Sequence, residues 1–597
     1  MKLLVTSSLK ETHGKDEEIL FAGDWIKSSL SFEQDFKNRN YEFFKYVFGD
    51  EKNLKEAFAT LNELRSRLLE ELSFNLNSMH KTDYPLRYWK IVIYPWLHYY
   101  LEETYIRFET IKQILNKKEN LNFIHLNDLK KFETFFDVRD FIDNIRRSES
   151  YNQFIFQKII KYFSDIKKNK HLNLIYLDQA ISREKNSNFL HENDKVNYVR
   201  KFFSIFLRSL TKKNKFFLDI NSIGFNFLNL NFKLKQIPFR DYEFFFPYNS
   251  NYKLFKNQSS FDANFRKKFA FKFNKENDYE NFLSIDFTEN IPKCLVEDFS
   301  KINGYVKKIP YQPKIIASDV RHEHDTIFKF WLANMIKGGS KLITSDHGGA
   351  YGVASYNGKS YSSIVHEDVA DVSVRWFKPI NKNNIQLPAL QLLNKKRKKN
   401  KKRKYLLAIG FGGTKYPKNI FLGPISAQTL YQVNYIKNFY KSLDSKLKSN
   451  FLFRPHPDDD WKIGKRIESE LEKKHIISSE MDYTYYFKKS KIIVCTYAKT
   501  SFCEAMVSGP TILLYKSDVH KNREEFKSLH KNLKEAQILF EDPQLASKHL
   551  NKIWDNVDDW WENDKVKKVR ESFIKEVALV GNDALEKWKI FLNNMHD

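Results

Sequence analysis

The sequence predicts an α/β protein of two doubly wound, Rossmann-type domains facing a cleft, with a helical insertion in the N-terminal half. Three observations predict it. Strand-like apolar runs alternate with helical patterns over 314–377 and again over 405–515. Nine basic residues in ten, Lys395–Lys404 (KKRKKNKKRK), separate the two stretches and cannot be core. The chain has 597 residues, 42% of them hydrophobic, enough for two or three domains with their own cores, which excludes wholesale disorder. The expected domains are 1–390, with the insertion at about 30–300, and 405–597, joined by a basic linker over 391–404.

Taken in order, Lys2–Ser7 reads as a buried strand running into a polar loop. Leu54, Phe58, Leu61, Leu64, Leu68 and Leu72 share one face at helical spacing, and the aromatic segment Tyr84–Tyr100 is expected to pack against that helix. From about 120 to 300 only Leu174–Leu177 and Phe216–Ile220 read as strands. Lys314–Ser318, Asp325–Lys337 and Lys341–Thr344 then form a strand–helix–strand unit, which requires a parallel sheet. Val372–Phe377 is a further strand. Beyond the basic run, strands are expected at Tyr405–Ile409, Asn450–Phe453, Lys491–Cys495 and Thr511–Tyr515. Helices are expected at about Ser426–Leu443, Asp460–Leu471 and Ser501–Val507, followed by a mainly helical end holding Trp554, Trp560 and Trp561.

With 100 Lys and Arg against 74 Asp and Glu, the net charge of +26 suggests an anionic partner: nucleic acid, an anionic membrane surface or phosphorylated substrates. A compositional drift toward Lys, Asn, Phe, Ile and Tyr, all encoded by A/T-rich codons, accounts for part of it. Three scattered cysteines suit neither a disulfide framework nor a Cys-based zinc site. They point to the cytoplasm, with a peripheral position on the inner face of the cytoplasmic membrane as the expected variant. The longest apolar run, Ile91–Leu97, contains Pro95 and falls far short of the ~18–20 residues of a spanning helix.

In open α/β sheets ligands bind beyond the carboxyl ends of strands, so the polar residues that follow strands are the candidates. After Lys341–Thr344 comes SDHGGAYG, in which Gly348 and Gly349 permit close backbone approach and His347 stands where a general base is useful; Tyr351 completes this acceptor-side loop. After Tyr405–Ile409 comes GFGGTK, whose Gly412, Gly413, Thr414 and Lys415 suit a phosphate, although the spacing is neither a Walker A loop nor GxGxxG. After Asn450–Phe453 comes RPHP, with Arg454 able to grip phosphate and His456 able to donate to it. The acids Asp458, Asp459 and Asp460 that follow read as helix capping rather than a metal site. After Lys491–Cys495 come Thr496, Thr500 and Ser501 at a helix start, with Glu504 one turn on, suited to ribose hydroxyls. A nucleotide on one lip and an acceptor base on the other is the expected arrangement.

RPHP followed about 40 residues later by CTYAKTSFCEAMVSGPTILLY resembles the donor half of GT-B glycosyltransferases. In the similar CDP-glycerol glycerophosphotransferases and bacterial sialyl- and Kdo-transferases, a His-Pro pair contacts the donor phosphate and a later Ser/Thr-rich loop and Glu lie at phosphate and ribose. Carried over, this implicates His456, Arg454, Thr500, Ser501 and Glu504. VTSSLKETHGKDEE, RYWKIVIYPWL and SDHGGAYG together resemble a family of transferases encoded in bacterial O-antigen loci, over the whole chain except about 120–300. Asp346 joins His347 as a catalytic candidate: members commonly carry Gln where this chain has Asp346, and a carboxylate there raises the imidazole pKa of His347 if the two pair. Adjacent residues on a strand point to opposite faces, which argues against direct pairing.

The resemblance implies a nucleotide-sugar-dependent, metal-independent glycosyltransferase of surface-glycan assembly, with 1–390 on the acceptor side, 405–597 on the donor side and no cofactor beyond the activated sugar. A sialyl- or Kdo-type donor would be a CMP-linked ulosonic acid. A glycerophosphotransferase-type donor would be a CDP-alcohol, and the reaction phosphoryl transfer. The acceptor is expected to be a glycan or a lipid-linked molecule. Two readings of another class remain at this stage, nucleic-acid binding and a non-catalytic membrane-surface scaffold, both motivated by charge alone. The chain has no RRM, KH, zinc-finger or helix-turn-helix signature.

Overall fold

The computed structural model describes residues 1–15, 17–127, 129, 134–178, 214–220, 225–238, 258–349, 363–395, 403–420, 423–478, 481, 483–520 and 523–596. Among these, fifteen strands form three five-stranded sheets. The first contains β1 (Lys2–Val5), β2 (Ile19–Phe21), β3 (Tyr41–Phe43), β4 (Leu121–Leu126) and β5 (Leu172–Leu177), in the order β3-β2-β1-β4-β5, all parallel. The second has β6 (Phe216–Asp219), β7 (Ile315–Ser318), β8 (Lys341–Ser345), β9 (Val372–Arg375) and β10 (Asn384–Gln386), in the order β10-β9-β8-β7-β6. The third has β11 (Tyr405–Ile409), β12 (Phe451–Arg454), β13 (Ser490–Cys495), β14 (Thr511–Leu514) and β15 (Leu539–Phe540), in the order β12-β11-β13-β14-β15, again parallel throughout.

By compactness the chain divides into two units. One comprises Met1–Asp219, Phe239–Leu342 and Lys415–Ile420; the other comprises Ile220–Pro238, Ile343–Thr414 and Phe421–Asp597. The Ser345–Gly349 loop and β9 thus group with the residues that follow the basic run. The stretch expected as a helical insertion holds two long helices, Glu51–His80 and Leu86–Asn116, together with strands β3–β6. Of these, β5 and β6 hold the runs Leu174–Leu177 and Phe216–Ile220 expected as strands, whereas β3 and β4 escape a reading of the sequence; β3 is three residues long and buries none of them.

In the first unit, Asp50 caps the helix Glu51–His80 by accepting a hydrogen bond from the Asn53 N–H, and Lys81 ends it in the left-handed region at φ 52°. Of the stripe Leu54, Phe58, Leu61, Leu64, Leu68 and Leu72, the leucines are buried as the spacing predicts and Phe58 is half-buried. The helix Leu86–Asn116 is nearly all buried, with Pro95 in its interior. Its apolar face also carries ions. Glu102 lies 3.5 Å from Arg65, Glu103 lies 3.2 Å from Arg107, and the Glu102 carboxylate accepts the Ile420 N–H at 2.9 Å. Unpaired, such buried charges would cost several kcal/mol each, of order 3–5.

The third sheet shows most plainly how sequence sets architecture. Alternate residues of its strands enter opposite layers. Leu407, Ile409, Ile493, Cys495 and Leu513 pack with Phe502, Met506, Leu529 and Phe573 on one side. Leu406, Ala408, Ile492, Val494 and Ile512 pack with Ile436, Phe439, Trp461 and Leu550 on the other. A strand covered on both faces must be apolar at nearly every position, which is why these runs were readable as strands.

Candidate active site

The strand order β12-β11-β13-β14-β15 reverses direction between β11 and β13, so a crevice opens at their carboxyl ends. Three of the four loops singled out from the sequence leave the sheet there, after Ile409, Arg454 and Cys495. Thr496 ties two of them: its backbone N–H and hydroxyl both donate to the Ile409 carbonyl, at 3.2 and 2.9 Å. Gln432, on the helix Tyr431–Lys441, clamps Phe411, two residues beyond Ile409, by accepting from the Phe411 N–H and donating to the Phe411 carbonyl, both at 3.0 Å.

The glycines of GFGGTK are required by close approach. A Cβ on Gly412 would stand 2.6 Å from His456 Nδ1 and 2.8 Å from the Asp458 carbonyl, and one on Gly413 would stand 2.1 Å from the Thr429 hydroxyl. The loop after β11 therefore lies directly on the His-Pro loop after β12. His456 Nδ1 accepts the Asp458 N–H at 3.0 Å, which leaves the imidazole proton on Nε2. Burial, first, and the Arg454 charge hold the His456 pKa below its ordinary value, so at neutral pH this side chain is an uncharged N–H donor. Asp459 caps the helix Ile463–Ile467, accepting from the Ile463 and Gly464 N–H groups at 2.8 and 3.1 Å, in keeping with the capping expectation. That helix is shorter than the expected Asp460–Leu471 because Lys462 takes a left-handed φ of 52° just before it.

Arg454 stacks over the Tyr483 ring, 5.0 Å from its centroid. The Tyr483 hydroxyl donates to Glu504 at 3.0 Å, and the other Glu504 oxygen pairs with Lys395 at 2.8 Å. Lys395 is the first residue of the basic run, whose residues 396–402 lie outside the described residues. Glu504 sits on the helix Thr500–Ser508, one turn beyond Thr500 and Ser501; no side chain caps this helix, and the Tyr497 hydroxyl meets Ser501 at 3.3 Å.

The His-Gly-Gly loop meets the same helix. A Cβ on Gly348 would fall 2.1 Å from the Thr500 hydroxyl, and one on Gly349 would fall 2.3 Å from Cys503 Sγ. The side chains of the loop part company, as strand alternation predicts. His347 is exposed, while Asp346 is buried, with one oxygen on Arg375 at 2.6 Å and the other accepting the Trp376 N–H at 2.9 Å. Asp346 thus anchors the loop through Arg375, which also binds Glu367 at 2.6 Å. Tyr351 lies outside the described residues. Lys415 belongs to the first unit, where its ammonium pairs with Glu149 and lies 3.2 Å from the Ser8 hydroxyl. Thr414 stays in the second unit, its carbonyl accepting from the Trp461 indole at 3.4 Å.

Three participants were not singled out from the sequence. Tyr483 and Arg375 owe their positions to tertiary packing, which no local spacing signals. Lys499, the N-cap residue of the helix Thr500–Ser508, was readable as a cation beside Thr500. It makes no ion pair among the described residues, and burial lowers its pKa.

Fold and site together define a parallel α/β protein whose cations, uncapped helix N–H groups and hydroxyls gather at a strand switch point. More specifically, this chain belongs to the LIC12162 family of transferases, whose model matches residues 2–592. No curated protein matches it. Among solved structures it is similar to the wall teichoic acid polymerase TagF, at 11% identity over 50% of this chain and 85% of that one, with a TM-score of 0.30. MurG of Acinetobacter baumannii matches at 12% identity, 53% and 88% coverage and a TM-score of 0.28. WaaG, a glycosyltransferase involved in lipopolysaccharide biosynthesis, matches at 12% identity, 49% and 95% coverage and a TM-score of 0.26. TM-scores this low carry no inference to this chain.

Proposed function

We propose that this transferase is a glycosyltransferase of GT-B type, moving a sugar from a nucleotide-activated donor to a glycan or lipid-linked acceptor in bacterial surface-glycan synthesis. The observation that carries the reading is the convergence of four strand-end loops in one unit, with Gly412 against His456 and Gly348 against Thr500. In this reading Arg454, the His456 Nε2–H, Lys499 and the free N–H groups at Thr500 and Ser501 stabilise the departing phosphate, whose charge grows as the glycosidic bond breaks. Glu504 accepts from ribose hydroxyls, sharing its carboxylate with Tyr483 and Lys395. His347, exposed at the end of β8, takes the proton of the acceptor hydroxyl as that oxygen attacks the sugar. The His-Pro motif is shared by enzymes that use CMP-linked ulosonic acids and by enzymes that use CDP-alcohols; of the two, a CMP-linked ulosonic acid is the donor proposed.

The test is thermal unfolding with CMP, CDP, UDP, GDP and ADP at millimolar concentration. A ligand at 100 times its dissociation constant adds ~2.7 kcal/mol of stability. A cytidine-selective rise in Tm, lost in His456→Ala, is the expected result. A rise with UDP or GDP alone would overturn the donor, and a His456→Ala response equal to the parent's would overturn the site. Transfer of glycerol phosphate rather than sugar from a cytidine donor would replace glycosyl with phosphoryl transfer.

A further inference from the structure

The helix Phe225–Lys233 has apolar residues on two faces. Phe227 and Leu230 are buried, and the helix packs against Ala584–His596. On the other side Phe225, Leu228 and Phe232, spaced by three and four residues, form a stripe that is 80%, 38% and 64% exposed. Lys233 bridges to Glu586 at 3.0 Å, and Ile590, one turn beyond Glu586 on the partner helix, is 51% exposed. Around this patch, among the described residues, stand Lys233, Lys235, Lys587 and Lys589 against two carboxylates, Asp583 and Glu586. A contiguous exposed apolar stripe rimmed by charge marks an interaction surface.

We propose that this face docks on an anionic lipid bilayer, with Phe225, Leu228, Phe232 and Ile590 entering the boundary between headgroups and acyl chains and the lysines pairing with lipid phosphates. Charge selects the partner. Lys233 and Lys589 share Glu586 and Lys587 pairs with Asp583, which leaves the face a surplus of two positive charges; two copies of the chain meeting through it would oppose like surpluses, whereas an anionic leaflet attracts them. The chain's net charge of +26 adds long-range attraction to the same surface. Among the described residues no helix is long and apolar enough to cross a membrane, so this mode of attachment is interfacial. The inference rests on the exposed stripe and its lysines and is independent of the donor chemistry.

The test is flotation of the full chain with vesicles of phosphatidylcholine containing one quarter phosphatidylglycerol, and with pure phosphatidylcholine vesicles. Flotation with the anionic vesicles only is expected, falling about tenfold in Phe225→Ser/Leu228→Ser/Phe232→Ser. These side chains are exposed, so the unfolding temperature should not change. As a gain-of-signal check, Phe225→Cys takes an environment-sensitive dye selectively, because the three native cysteines are buried. Its emission should shift to the blue on adding anionic vesicles. Equal flotation of the parent and the triple variant, equal flotation on neutral vesicles, or an unshifted dye would each overturn the proposal. So would a parent dimer that the triple variant converts to monomer, since the stripe would then be a protein interface.

Discussion

Asp346 stands beside His347 in the chain, yet its carboxylate is held by Arg375 and the Trp376 N–H. Removing one member of a buried pair leaves the other uncompensated, at a cost of about 3–5 kcal/mol. Glu367 remains on Arg375 and keeps the loss toward the lower figure. Asp346→Asn should therefore lower the urea midpoint while leaving the nucleotide preference of the parent intact. A variant with unchanged stability and altered nucleotide response would instead make Asp346 a substrate contact. What the sequence showed here was the residue type and its place after a strand. Arg375 as its partner was not legible, because it lies 29 positions away and reaches Asp346 only once β8 and β9 pair. His456 was more legible: flanking prolines and a preceding apolar run announced a rigid strand-end loop, and only its tautomer needed the structure.

At the scale of elements, the close approach of the Gly348–Gly349 backbone to the helix Thr500–Ser508 fixes where that helix begins. Gly348→Ala puts a methyl group onto the Thr500 hydroxyl, and one of the two elements must move. Displacements near 1 Å at a binding site reduce rates by as much as ~100-fold. The expected result is a lower Tm and a weakened nucleotide response in Gly348→Ala, both partly restored when Thr500→Ala is added. Additive losses in that double variant would rule out this contact as the cause. In the third sheet β11–β14 were legible because burial makes them mostly apolar, whereas β15, two residues long, was not. The strand β3 was not legible, since its three residues are all at least partly exposed and carry no continuous apolar run.

On the scale of the whole molecule, the expected cut at the basic run and the division by compactness fall in different places: Ile220–Pro238 and Ile343–Thr414 group with the second unit, and one short later segment groups with the first. Lys415–Ile420 belongs to the first unit although it follows β11 of the third sheet. Its backbone supplies the Pro417 carbonyl that accepts from Arg107 at 3.2 Å and the Ile420 N–H that donates to Glu102. Its Tyr416 hydroxyl reaches Glu149. Nothing in the local pattern YPKNI announces this, because the groups it satisfies lie some 310 positions earlier. The consequence concerns the order in which the protein is made. A ribosome has long finished the helix Leu86–Asn116 before it reaches Tyr416, so for most of translation the emerging N-terminal unit holds Glu102 and Arg107 with Arg65 and Glu103 but without the Ile420 N–H and the Pro417 carbonyl. It should therefore stay protease-sensitive in nascent chains stalled before Ile420 and become resistant in chains stalled well beyond it. Equal resistance in the two would mean that the early unit completes itself without the segment.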